Sequence, residues 1–223
     1  MEIKINVPDS LSDITLEQYQ KYERIIKANE DVKESERFIT CKLIEIFCNV
    51  SYDVANNMKL VDFERIATKI YDIIQHTPPL VRTFKMGESE FGFVPNLEDL
   101  TFGEYIDIDN HLGDIQQVHK AMAVLYRPIK QKIKDKYILY DYQGEEFHDV
   151  MLKMPLDAVV SSIVFFYRLG IDCSNAMMTY LDQGKQKEVQ RALQADLRTN
   201  GDGINHSLHS VRETLRDLKQ SLN

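Results

Sequence analysis

Two aspartates and a histidine alternate in the segment from Asp107 to His111 (DIDNH), and residues of these types can bind a divalent cation. Asp107 and Asp109 have the spacing that begins an EF-hand calcium loop, which also needs glycine at its sixth position and glutamate at its twelfth. These positions hold Leu112 and Val118. We therefore interpret the segment as an exposed acidic helix face. A metal-dependent factor that uses Asp107, Asp109 and His111 is the second hypothesis.

Other signatures of catalysis are absent from the sequence. Glycine loops of the forms G-x-G-x-x-G and G-x-x-x-x-G-K-[ST] do not occur, and neither do G-x-S-x-G, H-E-x-x-H or C-x-x-C. His206 and His209 lie three residues apart, and His111 precedes His119, but neither pair has a third ligand at a spacing typical of a metal site. We therefore predict a protein that is not an enzyme and that uses no cofactor and no small-molecule substrate.

The overall composition restricts the partners that the chain can bind. Of its 223 residues, 43% are apolar and 28% are charged, which is typical of a globular protein. The net charge of −8 disfavours an unspecific hold on nucleic acid, although an acidic protein can still lie beside DNA without binding it. The longest apolar run, residues 158–169, is shorter than the roughly 20 residues that span a bilayer, and the N-terminus lacks a signal-peptide pattern. We expect no membrane contact and an intracellular location.

The periodicity of the apolar residues predicts a mainly α-helical fold with small β elements. Helical spacing recurs at residues 38–47 and 62–75, and a buried helix is predicted at residues 155–170. Alternating apolar residues predict a short N-terminal strand at residues 3–7 and a β-hairpin at about residues 83–94. The result is a helical core that carries a few short strands.

A short motif occurs twice in the sequence. Residues 11–19 (LSDITLEQY) and residues 97–105 (LEDLTFGEY) share the form L-x-D-[IL]-T-[LF]-x-[QE]-Y, and a Val-Pro pair precedes each copy. The threonine can cap a helix, and the Gln or Glu three positions later completes a capping box. The repeat predicts two strand-turn-helix units, at about residues 3–28 and 90–112. Local capping chemistry alone explains the repeat, or an ancient duplication left two copies that dock side by side or present equivalent edges to neighbouring subunits.

Charged residues are unevenly placed in the middle of the chain. Residues 101–119 are acidic and hold no lysine or arginine, whereas residues 127–136 are basic, with Asp135 as the single acid. These strips are either two solvated faces, or they lie on opposite sides of the subunit so that the basic strip of one copy meets the acidic strip of the next. Such a head-to-tail contact forms a ring when its rotation closes. The candidate interface residues are Glu104, Asp107, Asp109, Arg127, Lys130, Lys132 and Lys134.

The C-terminal segment has the spacing of a coiled-coil seam. After a Gly-containing breaker at residues 200–203, apolar residues recur alternately four and three positions apart. Fewer than about three heptads seldom hold a free coiled coil together, so the seam is expected to dock on its own domain or on a partner. We therefore divide the chain into a mainly helical domain, residues 1–199, and a C-terminal docking helix, residues 200–223. The candidate interface residues of this helix are Ile204, Leu208, Val211, Leu215 and Leu218.

Three stretches of the chain resemble a family of structural proteins from tailed bacteriophages, particularly the crAss-like phages of gut bacteria. They are residues 91–107 (FGFVPNLEDLTFGEYID), 121–129 (AMAVLYRPI) and 164–167 (VFFY). The resemblance implies a protein of the virion, assembled in the cytoplasm of the bacterial host, whose partners are other virion proteins and copies of itself. It favours a ring-forming head-tail connector or tail component that packs against portal or tail subunits. In such a ring, DNA is expected at most as a passing neighbour in a channel, which the acidic balance of the chain permits. The alternative is a tail-assembly chaperone that is absent from the mature virion.

Overall fold

The structure of the protein, a computed structural model, describes residues 5–32, 35–134, 136–142 and 144–182. The chain divides into two compact units, residues 1–163 and 164–223. The fold is mainly α-helical with a small sheet, which confirms the predicted fold class. Within the described residues, no helix has the length and apolar character needed to cross a bilayer. The helices are α1 (Leu16–Ala28), α2 (Glu36–Phe47), α3 (Tyr52–Asn56), α4 (Leu60–Gln75), α5 (Phe102–His111), α6 (Val118–Leu125) and α7 (Leu156–Asp182).

A four-stranded antiparallel sheet accompanies the helices, with the strand order β1-β2-β3-β4. The hairpin predicted at about residues 83–94 is confirmed as β1 and β2, and Gly87 at its turn has a φ of 61°, which glycine adopts without steric cost. β3 was not predicted, because the lysines along its outer half are typical of a charged loop. The strands are β1 (Thr83–Met86), β2 (Ser89–Phe93), β3 (Tyr126–Ile133) and β4 (Lys136–Leu139).

The predicted N-terminal strand at residues 3–7 is wrong for the part that the structure describes. Residues 5–8 have no regular structure, and residues 1–4 lie outside the described chain. A strand needs a neighbour to bond its N–H and C=O groups, and the described strands of the sheet pair only with one another. The first copy of the repeat is therefore a turn and a capped helix, and only the second copy follows a strand.

The core of the first unit combines packed helix pairs with an aromatic cluster on the sheet. α1 packs against α2, α2 against α3 and α4, and α5 against α6. The rings of Phe84, Phe91, Phe93 and Tyr126 contact one another, with centroids 5.2 to 5.5 Å apart. The Tyr126 hydroxyl donates to the Val81 C=O at 2.6 Å, and burial raises its pKa to about 12. This cluster fixes the start of β3, where α6 ends.

Candidate protein-binding surfaces

Both copies of the repeated motif fold into the same local structure. In each, a 3-10 turn precedes a helix that is capped by threonine. In the first copy, the Gln18 N–H donates to Thr15 Oγ1 at 3.2 Å, and the Thr15 N–H donates to Gln18 Oε1 at 2.9 Å. In the second copy, the corresponding bonds join Glu104 and Thr101 at 3.3 and 2.7 Å. Each helix therefore begins with a complete capping box.

The first copy is closed by a segment from much later in the chain, through an isolated antiparallel bridge. The Leu16 N–H donates to the Met154 C=O at 3.0 Å. The Leu156 N–H donates to the Ile14 C=O at 2.8 Å. All four side chains are at most 1% exposed. We call this pairing of residues 154–156 with residues 14–16 the clasp, and it covers the apolar side of the motif.

The second copy carries apolar residues of the same kind but leaves them exposed. Phe102 is 70% exposed, Tyr105 43% and Ile106 38%. Positions three and four apart lie on one side of a helix, so these side chains form a continuous stripe on α5, which we call the open face. Glu104 and Ile108 are buried instead. α5 thus turns a charged residue inward and its largest apolar residues toward solvent.

Glu104 is stabilised inside the subunit by Arg127. The Arg127 Nη2 donates to Glu104 Oε1 at 2.6 Å, and the two side chains are only 14% and 8% exposed. The Arg127 Nε also donates to the Val124 C=O at 3.0 Å. The prediction that the acidic and basic strips lie on opposite sides of the subunit is therefore wrong for this pair. The physical reason is that α6, which packs on α5, leads directly into β3.

The residues proposed for a metal site do not converge. Among the described residues, no group of three or more His, Cys, Asp or Glu side chains could hold a metal ion. Residues two apart on a helix point about 200° apart, which separates Asp109 from Asp107 and His111. The Asp107 carboxylate instead accepts a hydrogen bond from the Tyr142 hydroxyl at 3.1 Å, and that hydroxyl lies 2.8 Å from His148 Nε2. Burial, reinforced by Asp107, raises the pKa of Tyr142, so its hydroxyl stays protonated.

Two of the predicted basic residues contact the sheet around them. Lys130 Nζ lies 5.9 Å from the centroid of the Tyr140 ring, which is a cation-π distance. Lys132 forms an ion pair with Glu90 on β2. Both lysines are exposed, so these contacts orient their side chains without removing their charges from solvent.

The end of the β3–β4 hairpin is both apolar and basic. Ile133 and Ile138 are 58% and 55% exposed. Lys134 lies in the turn with a φ of 54°, and Lys136 pairs with Ile133 across the hairpin. We call Ile133, Lys134, Lys136 and Ile138 the hairpin tip. Its charge is opposite to that of α5, and both surfaces expose large apolar side chains.

The predicted C-terminal interface lies outside the described residues. Ile204, Leu208, Val211, Leu215 and Leu218 all follow residue 182, the last one described. The boundary between residues 1–199 and 200–223 lies there too. Both stay predictions.

The open face and the isoleucines of the hairpin tip were not among the residues predicted from the sequence. A signal was present, because Phe102, Tyr105 and Ile106 have the spacing of one helix side. The same spacing is typical of a core-facing stripe, and periodicity does not reveal which side of a helix other segments cover.

Comparison of the chain with family models, curated proteins and solved structures finds no match.

Proposed function

We propose that the chain is a non-catalytic structural subunit that assembles with copies of itself and with other proteins. The observation that supports this best is the open face of α5, where Phe102, Tyr105 and Ile106 are exposed while Glu104 is buried. Large contiguous apolar patches on a soluble protein mark sites that a partner covers. A helix that turns its apolar side outward is suited to binding another protein.

Charge complements the apolar match between the open face and the hairpin tip. Glu98 and Asp99 are exposed just before α5, and Lys134 and Lys136 are exposed beside the isoleucines of the hairpin tip. Opposite charges orient such a contact, while buried apolar area supplies most of its stability. Because the two surfaces differ, the contact is head-to-tail and forms a ring if its rotation closes.

The resemblance to tailed-phage structural proteins supports a more specific version of this proposal. In this version, the chain is a ring-forming head-tail connector or tail component of the virion that packs against portal or tail subunits. Mass analysis of purified virions tests it, and copies of the chain are expected in intact particles. Presence of the chain in infected cells together with its absence from particles would favour the tail-assembly chaperone.

Sedimentation velocity of the purified chain tests the assembly itself. We expect oligomers at micromolar concentrations. Added salt should weaken them modestly, because it screens the charges that orient the contact but not the apolar area that supplies most of its stability. The double variant Phe102→Ser/Ile106→Ser should sediment as a folded monomer. The fold should persist because both side chains are exposed in the single subunit, and assembly should be lost because the apolar area of the contact is removed.

A matched control is available on α4, where Leu60 and Val61 are 68% and 75% exposed. Leu60→Ser/Val61→Ser removes a similar apolar area and should leave the oligomer intact. A wild-type chain that stays monomeric at its highest soluble concentration contradicts the proposal. Equal effects of the two double variants contradict the role of the open face.

A further inference from the structure

The two copies of the motif differ in their backbone partners as well as in side-chain burial. In the first copy, the Ile14 C=O and the Leu16 N–H are the groups bonded in the clasp. The corresponding groups of the second copy are the Leu100 C=O and the Phe102 N–H, which have no protein partner among the described residues. The Phe102 N–H is unbonded because a helix leaves its first N–H groups without a partner inside the helix. This N–H and the Leu100 C=O are both available to a strand that lies alongside them.

β4 offers the complementary groups along its outer edge. It pairs with β3 on one side, and no described strand pairs with the other. The Tyr140 N–H, one residue past the end of β4, donates to the Pro128 C=O of β3 at 3.0 Å. Successive residues of a strand direct their backbone groups to opposite sides. The Tyr137 C=O and the Leu139 N–H therefore point away from the sheet. The Tyr137 hydroxyl donates to the Phe93 C=O at 2.6 Å, which holds β4 in place.

The sequence of β4 is similar to that of the clasp. Residues 153–156 (KMPL) and residues 136–139 (KYIL) share the form K-[MY]-[PI]-L. The clasp does not use the N–H of its third residue, which is why Pro155 fits there. In β4 the corresponding residue is Ile138, whose N–H is directed toward β3. The residues on either side of the third position supply the C=O and the N–H in both segments.

We infer that β4 of a second copy pairs with residues 100–102 and so forms between subunits the clasp that residues 154–156 form within one. This inference rests on the proposed function and names the partner of the open face. In the first copy, Leu16 beside the clasp is 0% exposed. Its counterpart Phe102 is covered in the same way when β4 of the next copy is in place.

The register of this contact follows from the clasp. Thr101 lies opposite Ile138, as Thr15 lies opposite Pro155. The Phe102 N–H then donates to the Tyr137 C=O of the next copy. On the other side of the bridge, the Leu139 N–H donates to the Leu100 C=O.

The charges near the two edges favour a second copy as the occupant. The hairpin that contains β4 exposes Lys130, Lys134 and Lys136, whereas Glu98 and Asp99 are exposed beside residues 100–102. An edge strand with unbonded backbone groups is also a ready template for pairing with another chain. Both halves of the contact are thus present in every subunit.

Cysteine cross-linking tests the register. In such a bridge the residues directly opposite each other have Cα atoms about 4.5 Å apart, within reach of a disulfide. Thr101→Cys and Ile138→Cys, made in separate chains, mixed and oxidised mildly, should give a linked dimer whose disulfide is located by peptide mass analysis. In the control mixture, Lys85→Cys on β1, the opposite edge of the sheet, replaces Ile138→Cys and should give no link.

Phe102→Pro tests the main-chain hydrogen bond. Proline is tolerated at the first position of a helix, and Thr101 before it is extended, with φ −70° and ψ 160°, as a residue preceding proline should be. Phe102→Ala removes the same ring and keeps the N–H. We expect the proline variant to self-associate about fivefold more weakly than the alanine variant, which corresponds to one hydrogen bond.

The outcomes separate this inference from the proposed function. The specific cross-link, together with weaker association of the proline variant, supports the pairing. Oligomers that form without this cross-link, and that the two Phe102 variants weaken equally, overturn the pairing but leave assembly through the open face standing. A chain that remains monomeric overturns both.

Discussion

The two copies of the repeated motif, at residues 11–19 and 97–105, have the same local structure and opposite exposure. Each has a 3-10 turn, a threonine cap and a capping box. In the first copy Leu16 is fully buried beside the clasp, whereas its counterpart Phe102 is 70% exposed. A motif of this length specifies how a helix begins. The surface that the helix presents depends on which other segments reach it.

The glutamine or glutamate of the capping box shows how one side chain changes what a helix can pack against. Gln18 accepts a bond in the cap with Oε1, and its Nε2 donates to the Ile46 C=O at 2.8 Å, which ties α1 to α2. Glu104 has no donor, so its second oxygen binds Arg127 and ties α5 to β3. A buried amide can bond to a backbone C=O, but a buried carboxylate needs a positive partner.

The largest difference between the two copies should come from removing the apolar residue that follows each cap. Leu16→Ala should lower the free energy of unfolding by about 4 kcal/mol, because it leaves a cavity beside the clasp. Phe102→Ala should change the stability of the monomer by less than about 0.5 kcal/mol, since its ring is exposed. Urea denaturation at low protein concentration measures both. Equal losses would show that the second copy is covered within the subunit.

Glu104→Gln makes the second copy resemble the first at its capping residue. The amide preserves the capping box but leaves the Arg127 guanidinium, 14% exposed, without its counter-charge. We expect a loss on the order of 3 kcal/mol, measured by thermal unfolding. As a control, Lys132→Gln breaks the exposed pair with Glu90 and should cost less than about 1 kcal/mol. A loss for Glu104→Gln no larger than that of the control would contradict a buried ion pair.

The threonine caps should contribute equally in the two copies. Thr15→Ala and Thr101→Ala each remove one side-chain acceptor at a helix start, and each should cost about 1 kcal/mol. Parallel urea titrations of the two variants measure the difference. A clearly larger loss for either one would mean that the local structures are less alike than their hydrogen bonds indicate.

The smallest expected effect is a pH dependence of stability that comes from α6, the helix that packs against α5 of the second motif copy. His119 on α6 is 8% exposed, and burial, followed by Lys120, lowers its pKa. In the unfolded chain the pKa of His119 is about 6.5, so below that pH the unfolded state binds more protons than the folded state. The free energy of unfolding therefore falls as the pH is lowered. Urea midpoints should decrease from about pH 7.5 to about pH 5.5, and less steeply for His119→Gln. An equal decrease in both proteins would assign the effect to another group.

The sequence predicted those features that depend on neighbours along the chain. The capping boxes join residues three apart, and the β1–β2 hairpin needs only two alternating runs and a turn, so both were visible as patterns. β3 was missed because Lys130 and Lys132 are exposed, so the outer half of the strand lacks a regular apolar alternation. The opposite placement of the charged strips is wrong for Glu104 and Arg127, because the fold brings the start of β3 back to α5.

The sequence by itself determined where both capped helices begin, because a threonine and a Gln or Glu three residues later satisfy the first N–H groups without help from elsewhere. Only the tertiary structure decided that Leu16 is covered and Phe102 is not. Covering Leu16 requires Met154 and Leu156, which are distant in sequence and reach only the first copy. Local hydrogen bonds are encoded locally, whereas burial depends on the path of the whole chain.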